Sequence, residues 1–257
     1  MSRPGQVKQF TILALVACIY FLPSCNRARK YEKLSENLQS GNRLEKVTAI
    51  NKFSELGPAD SAAIPVIVEL MQQEEYAYRG WKWLSNIGKP ACPTVLSLLD
   101  STNPNQKLGG LLAFNGFVNY VDEVIRPGAS KVLRLCNDKD PAVRGQAIAT
   151  LWNLAGFVDD SALASCIQKG LDDPDRGVVA YALSALALLA NRMKSFLPRL
   201  VRMIEEGNDD VRHHLLDATF YINANEDEDL SKRIIEEAKQ NGYEEILTAA
   251  KEFGIKE

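Results

Sequence analysis

The chain has 257 residues, is 46% apolar and carries a formal charge of −3. That is enough apolar material for one sizeable core or two. The slightly acidic balance excludes the basic surface expected of a default nucleic-acid binder. In chain order, the first residues stand apart from the rest. Arg3 and Lys8 form a basic start, and Phe10 to Leu22 is a nearly unbroken apolar run of 13 residues, too short to cross a bilayer comfortably. Leu22-Pro23-Ser24-Cys25 follows. A basic start, a short apolar run and a small residue before a cut describe a secretory signal over residues 1–24. Residues 25–41 then read as a tether. Its early cations, Arg27, Arg29, Lys30 and Lys33, either meet anionic headgroups or are solvated spacer.

From residue 42 a pattern recurs: a small residue, then large apolar ones four and seven positions later. It reads Ala49/Phe53/Leu56, Gly80/Leu84/Ile87, Ala113/Phe117/Tyr120, Ala147/Leu151/Leu154, Ala182/Leu186/Leu189 and Leu215/Thr219/Ile222, in steps of 31, 33, 34, 35 and 33 residues. Positions i, i+4 and i+7 share one face of an α-helix, so each unit opens with an amphipathic helix. The pattern is most regular at 138–190, where two stretches beginning Asp140-Pro141 and Asp173-Pro174 look like tandem copies. Gly57, Gly88, Gly156, Asn191 and Asn223 follow the helices and suit left-handed C-caps.

A second helix is expected in each unit. Pro65, Pro93, Pro127 and Pro198 mark its start, because proline in the first helical turn has no intrahelical bond to lose. Residues 161–171 keep the same apolar phase without a proline. Two helices per period of 31–35 residues is a solenoid signature. Residues 226–257 are more charged, with stripes at Ile234/Ile235/Ala238 and Ile246/Leu247/Ala250/Phe253. They read as two C-terminal capping helices whose outer face is polar.

Few residues suggest chemistry. His213 and His214 are the two histidines. As helix neighbours about 100° apart, they are poorly placed to chelate one metal. No Gly-rich phosphate loop, nucleophile elbow or Cys-x-x-Cys occurs, so neither catalytic residue, cofactor nor metal is expected. Cys18 lies in the signal; Cys92, Cys136 and Cys166 read as buried free thiols. Trp81 and Trp83 are two apart on a helix. Either one is exposed as a recognition anchor, or both lie flat across neighbouring repeats.

Two resemblances add to this reading. Leu22-x-Ser24-Cys25 resembles the lipobox of bacterial lipoproteins. That implies a diacylglyceryl thioether on Cys25, cleavage before it, and lipid anchoring to a bacterial membrane, either the outer membrane or the periplasmic face of the inner one. Asp140-Pro141-x-Val143-Arg144-xx-Ala147 and Gly88-xx-Ala91-x-Pro93-x-Val95-Leu96-x-Leu98-Leu99 resemble HEAT repeats in the short form of the PBS-lyase HEAT-like family. Ankyrin and TPR signature residues are missing. The resemblance implies an all-α superhelix of about six hairpins over residues 42–225, with the second helices lining the concave face. Positions outside their apolar stripe read Val66/Glu69, Thr94/Ser97, Gly128/Lys131, Ala162/Ser165 and Arg199/Arg202. Glu69, Ser97, Lys131, Arg134, Arg199 and Arg202 are thus candidate partner contacts, the cations suited to carboxylate or phosphate. The expected function is a membrane-anchored scaffold that binds an unidentified protein and not nucleic acid. The alternatives are a lyase-like enzyme of the same repeat family and a purely structural envelope component.

Overall fold

The computed structural model describes residues 28–207, 209–223 and 228–252. The expected signal and the lipid site Cys25 lie outside these residues. Fourteen helices run in order through the described part: α1 (28–40), α2 (Arg43–Ser54), α3 (Ile64–Leu70), α4 (Glu74–Ile87), α5 (Cys92–Leu98), α6 (Pro104–Gly116), α7 (Arg126–Leu135), α8 (Pro141–Ala149), α9 (Asp160–Leu171), α10 (Arg176–Leu188), α11 (Leu197–Glu205), α12 (Arg212–Asn223), α13 (Glu228–Asn241) and α14 (Glu244–Glu252). No strand is present among the described residues. The architecture is an α-α solenoid of stacked helical hairpins, with the even-numbered helices α2 to α12 as first helices and the odd-numbered α3 to α11 as second helices.

The small-large-large stripe forms the core between units. Ala49, Phe53, Leu84, Ile87, Ala113, Phe117, Ala147, Leu151, Leu154, Ala182, Leu186, Leu215 and Thr219 are all buried. Successive first helices pack directly on one another, and small residues permit that approach. A Cβ on Gly109 would fall 2.2 Å from Met71 Cε and 3.0 Å from the Ala77 carbonyl oxygen; one on Gly145 would fall 2.5 Å from the Tyr181 ring. Pro65, Pro93, Pro127 and Pro198 each occupy the first turn of a second helix, as their chemistry requires. A turn of π-helix at Val121–Ile125 leads into α7, in the stretch where the sequence repeat is weakest.

The unit starts share a local device. Asp140 Oδ1 accepts from the amides of Ala142 and Val143, and Asp175 Oδ1 from those of Gly177 and Val178. Two residues before each cap, Asp138 and Asp173 accept from the cap's own amide, each at 3.0 Å. Ser101 and Asn103 repeat the arrangement ahead of α6. The two Asp-Pro pairs are therefore not equivalent. Asp138 corresponds to Asp173 and Asp140 to Asp175, a shift of two residues from the match that the Asp-Pro dipeptides suggest.

Two further segments differ from expectation. Residues 28–40, read as part of a tether, fold as α1. Tyr31 and Leu38 on it are buried, Tyr31 donates to Asp60 Oδ1, and Tyr76 Oη donates to the Leu38 carbonyl at 3.1 Å. Gly88 and Gly156 have the left-handed φ expected of them, at 70° and 101°. Gly57 is extended at φ −142°, its amide bound to Asp60 Oδ2 at 3.0 Å. At the far end, Ile234, Ile235, Ala238, Ile246 and Ala250 form a separate cluster with Leu216 and Phe220 of α12.

Candidate functional site

The candidate surface is the row of second helices and the clefts between their ends. Its residues are positioned by the same step that stacks the units. Glu69 on α3, Ser97 on α5 and Arg202 on α11 are exposed. Ser97 Oγ donates to the Thr94 carbonyl at 2.8 Å. Among the described residues Arg202 forms no ion pair.

The other cations of the row are engaged within the chain. Lys131 and Arg134, one turn apart on α7, converge on Asp100 at the end of α5; the Arg134 contact is 2.6 Å. Lys131 Nζ also donates to the Leu96 carbonyl at 3.3 Å. Arg199 on α11 donates to Asp172 at the end of α9, at 2.7 Å. The Lys131 hydrogen bond holds the Asp100 carboxyl below its ordinary range; burial opposes it, and the Lys131 and Arg134 charges outweigh that opposition. Arg199, followed by Gln168, does the same for Asp172. The sequence placed these cations on one row; their acceptors, each on the preceding unit, emerge only in the fold.

Two clefts open beside these bridges. One, of about 370 Å³ between α9 and α11, is lined by Ser161, Ser165, Gln168, Ser195, Phe196 and Arg199. The other, of about 490 Å³ near the ends of α5 and α7, is rimmed by Asp100, Thr102, Lys107, Arg134, Asn137 and Lys139. Both are open and mix apolar with polar surface, and their hydroxyls, amides and cations suit an extended peptide better than an enclosed small molecule. Among the described residues no group of three or more His, Cys, Asp or Glu is placed to hold a metal ion. The His213 ring instead lies edge-on to Tyr243, with centroids 4.7 Å apart.

Of the two tryptophans considered as anchors, Trp83 is a core residue. It stacks on Phe53 with centroids 4.6 Å apart and is 3% exposed, so it reaches no partner without repacking. Trp81 is half-buried, its ring over Gly116 of the next first helix. The exposed aromatic of that stretch is Tyr78. Residue reasoning missed Trp152 and Phe157, both exposed at the turn after α8, with Arg126 over the Phe157 ring at 5.6 Å. Trp152 lies five residues past Ala147, as Val118 lies five past Ala113, off the buried stripe. An apolar residue off that stripe was the available signal. Among the described residues no helix is long and apolar enough to cross a membrane.

A family model described as HEAT repeats matches residues 129–218, from α7 through α12. No curated protein matches the chain. Among solved structures, a chain in the complex in which Kap95p binding switches RanGDP to the GTP-bound conformation is similar at 14% identity and TM-score 0.57, over 76% of this chain and 30% of that one. An engineered protein is similar at 18% identity and TM-score 0.51, over 76% and 98%. A Kap121p mutant is similar at 14% and 0.50, over 90% and 32%. At these identities the likeness concerns the fold alone.

Proposed function

We propose that this chain is a protein-binding scaffold whose second-helix row captures an extended, partly acidic segment of a partner, and that a lipid on Cys25 holds it at a bacterial membrane. The observation that carries the binding reading is the pair of open clefts along the row, each lined by hydroxyl and amide groups and at least one cation. A preformed helical stack presents such a surface with little ordering on binding. Arg202 adds a cation free of ion pairs among the described residues, beside the cleft that Arg199 lines. The HEAT match and the similarity to a chain of the Kap95p–RanGDP complex support the same reading, since the fold there serves protein assembly.

The anchoring reading rests on the sequence of residues 3–25. Three acyl chains on a processed lipoprotein exceed the two signals that stable anchoring takes. Replacing Cys25→Ser is expected to move the protein from the membrane fraction to the soluble one. Persistent membrane association without detergent would contradict it. Site-specific photo-crosslinking in cells from the second-helix row tests the binding reading.

A further inference from the structure

The stack brings two thiols together across a unit boundary. Cys136 ends α7 and Cys166 lies on α9, 30 residues later, and both are buried. Cys136 Sγ lies 3.8 Å from the Val132 carbonyl oxygen, and Cys166 Sγ lies 3.7 Å from that of Leu133. The two sulfurs therefore sit against consecutive carbonyls of one turn of α7. The two thiols act on each other: Cys166 pushes the Cys136 thiol up, and Cys136 draws the Cys166 thiol down. Cys92, also buried, belongs to α5 and has no such neighbour. Its own surroundings are desolvating and push its thiol up.

We propose that Cys136 and Cys166 are a reversible redox site, forming a disulfide that staples α7 to α9 when the protein meets a hydroperoxide. The Cys166 thiolate attacks one peroxide oxygen, the O–O bond breaks, and hydroxide leaves and takes up a proton as water. The resulting sulfenic acid is then attacked at sulfur by Cys136, whose proton leaves with the departing oxygen. The S–O bond breaks, a second water leaves and the S–S bond forms. Two thiols and one hydrogen peroxide thus give one disulfide and two waters. Cys166 is the attacking partner because its thiolate is the one stabilised. The closed loop spans two neighbouring hairpins, so oxidation stiffens the middle of the solenoid.

The test uses the full chain, hydrogen peroxide as oxidant, and alkylation after unfolding, read by peptide mass. The expected product is a crosslinked pair of peptides containing Cys136 and Cys166, lighter by two hydrogens, with Cys92 still alkylated. A higher melting temperature, reversed by a dithiol reductant, accompanies it. In Cys136→Ser the expected product is a Cys166 sulfenic acid trapped by dimedone, in a protein whose helical CD is unchanged. Full alkylation of Cys136 and Cys166 after peroxide, a disulfide that includes Cys92, or over-oxidation of Cys166 to sulfinic acid in the native chain would each overturn the proposal.

Discussion

Arg144 on α8 grips Asp173, 29 residues later, with both arms of its guanidinium: Nε donates to Oδ2 and Nη2 to Oδ1, each at 2.8 Å. Its remaining nitrogen donates to the carbonyls of Asp138 and Lys139, at 2.9 and 3.1 Å. One side chain thus ties the start of its own unit to the start of the next. The Arg144 and Asp173 side chains are only 17% and 9% exposed, so solvent screens this pair less than a surface bridge. In α10 the position after the valine is Val179, which is buried. There Arg176, one turn earlier, makes a looser link to Asp210 at 3.9 Å.

Replacing Arg144→Ala leaves Asp173 with its charge and without its fork. Losing charged hydrogen bonds of this kind costs about 2 kcal/mol, or roughly 4–8 °C in melting temperature for a chain of this size. Arg144→Lys is expected to recover less than half, because an ammonium cannot match both carboxylate oxygens. By contrast, Arg176→Ala is expected to change the melting temperature little, since Arg176 and its partner Asp210 are both exposed. Thermal melts of the three variants check this ranking.

Acid is expected to loosen the stack through the same carboxyls. Arg144 holds Asp173 below its ordinary range. Burial pushes Asp138 up, but the Lys107 hydrogen bond and the Asp140 amide outweigh it, so its net shift is also downward. A lowered folded-state value means that the contribution is present above the unfolded-chain value, about 3.9. It is lost as pH falls through the folded value. Stability is therefore expected to be flat in these groups near neutrality and to decline below about pH 4. Asp173→Asn should be less stable at neutral pH and lose less on acidification. Denaturant midpoints measured from pH 7 downward check the sign.

Glycine replacements separate close packing from chain entropy. Gly109→Ala places a methyl group into Met71 and against the Ala77 carbonyl. Overpacking of this sort costs about 1–3 kcal/mol, which outweighs the gain of about 1 kcal/mol in helix propensity. Gly57 is extended, with nothing within 4 Å of an added Cβ. Gly57→Ala is expected to raise stability by about 0.4–1 kcal/mol through the unfolded chain. Chemical denaturation of the two variants should give opposite signs.

The helical phase was legible because one face of each first helix must be buried, and that face has a fixed spacing. Thus Ala147, Leu151 and Leu154 mark α8 and its continuation directly, and four prolines mark helix starts. Local caps were harder to read. Asp-Pro drew Asp140 and Asp173 together, whereas capping depends on which carboxylate reaches two amides, and that pairs Asp140 with Asp175. The tether reading of residues 25–41 weighed the charge of Arg29, Lys30 and Lys33 over the i, i+3, i+7 spacing of Tyr31, Leu34 and Leu38, the face that packs on the first hairpin. The row of cations was visible on the second helices. That Lys131, Arg134 and Arg199 meet Asp100 and Asp172 was not, because those carboxylates lie about one repeat away in sequence.

The central claim is that the second-helix row meets a protein partner. It is tested most directly by placing a photo-crosslinking residue, one at a time, at Ser97, Ser165 and Arg202 on the second helices and at Lys82 on a first helix, in the cells that make the protein. The expected result is one and the same partner band from the second-helix positions and none from Lys82, with the Ser165 adduct lost in Arg202→Glu while helical CD is unchanged. Adducts from Lys82 alone, or none from any second-helix position, would contradict the account.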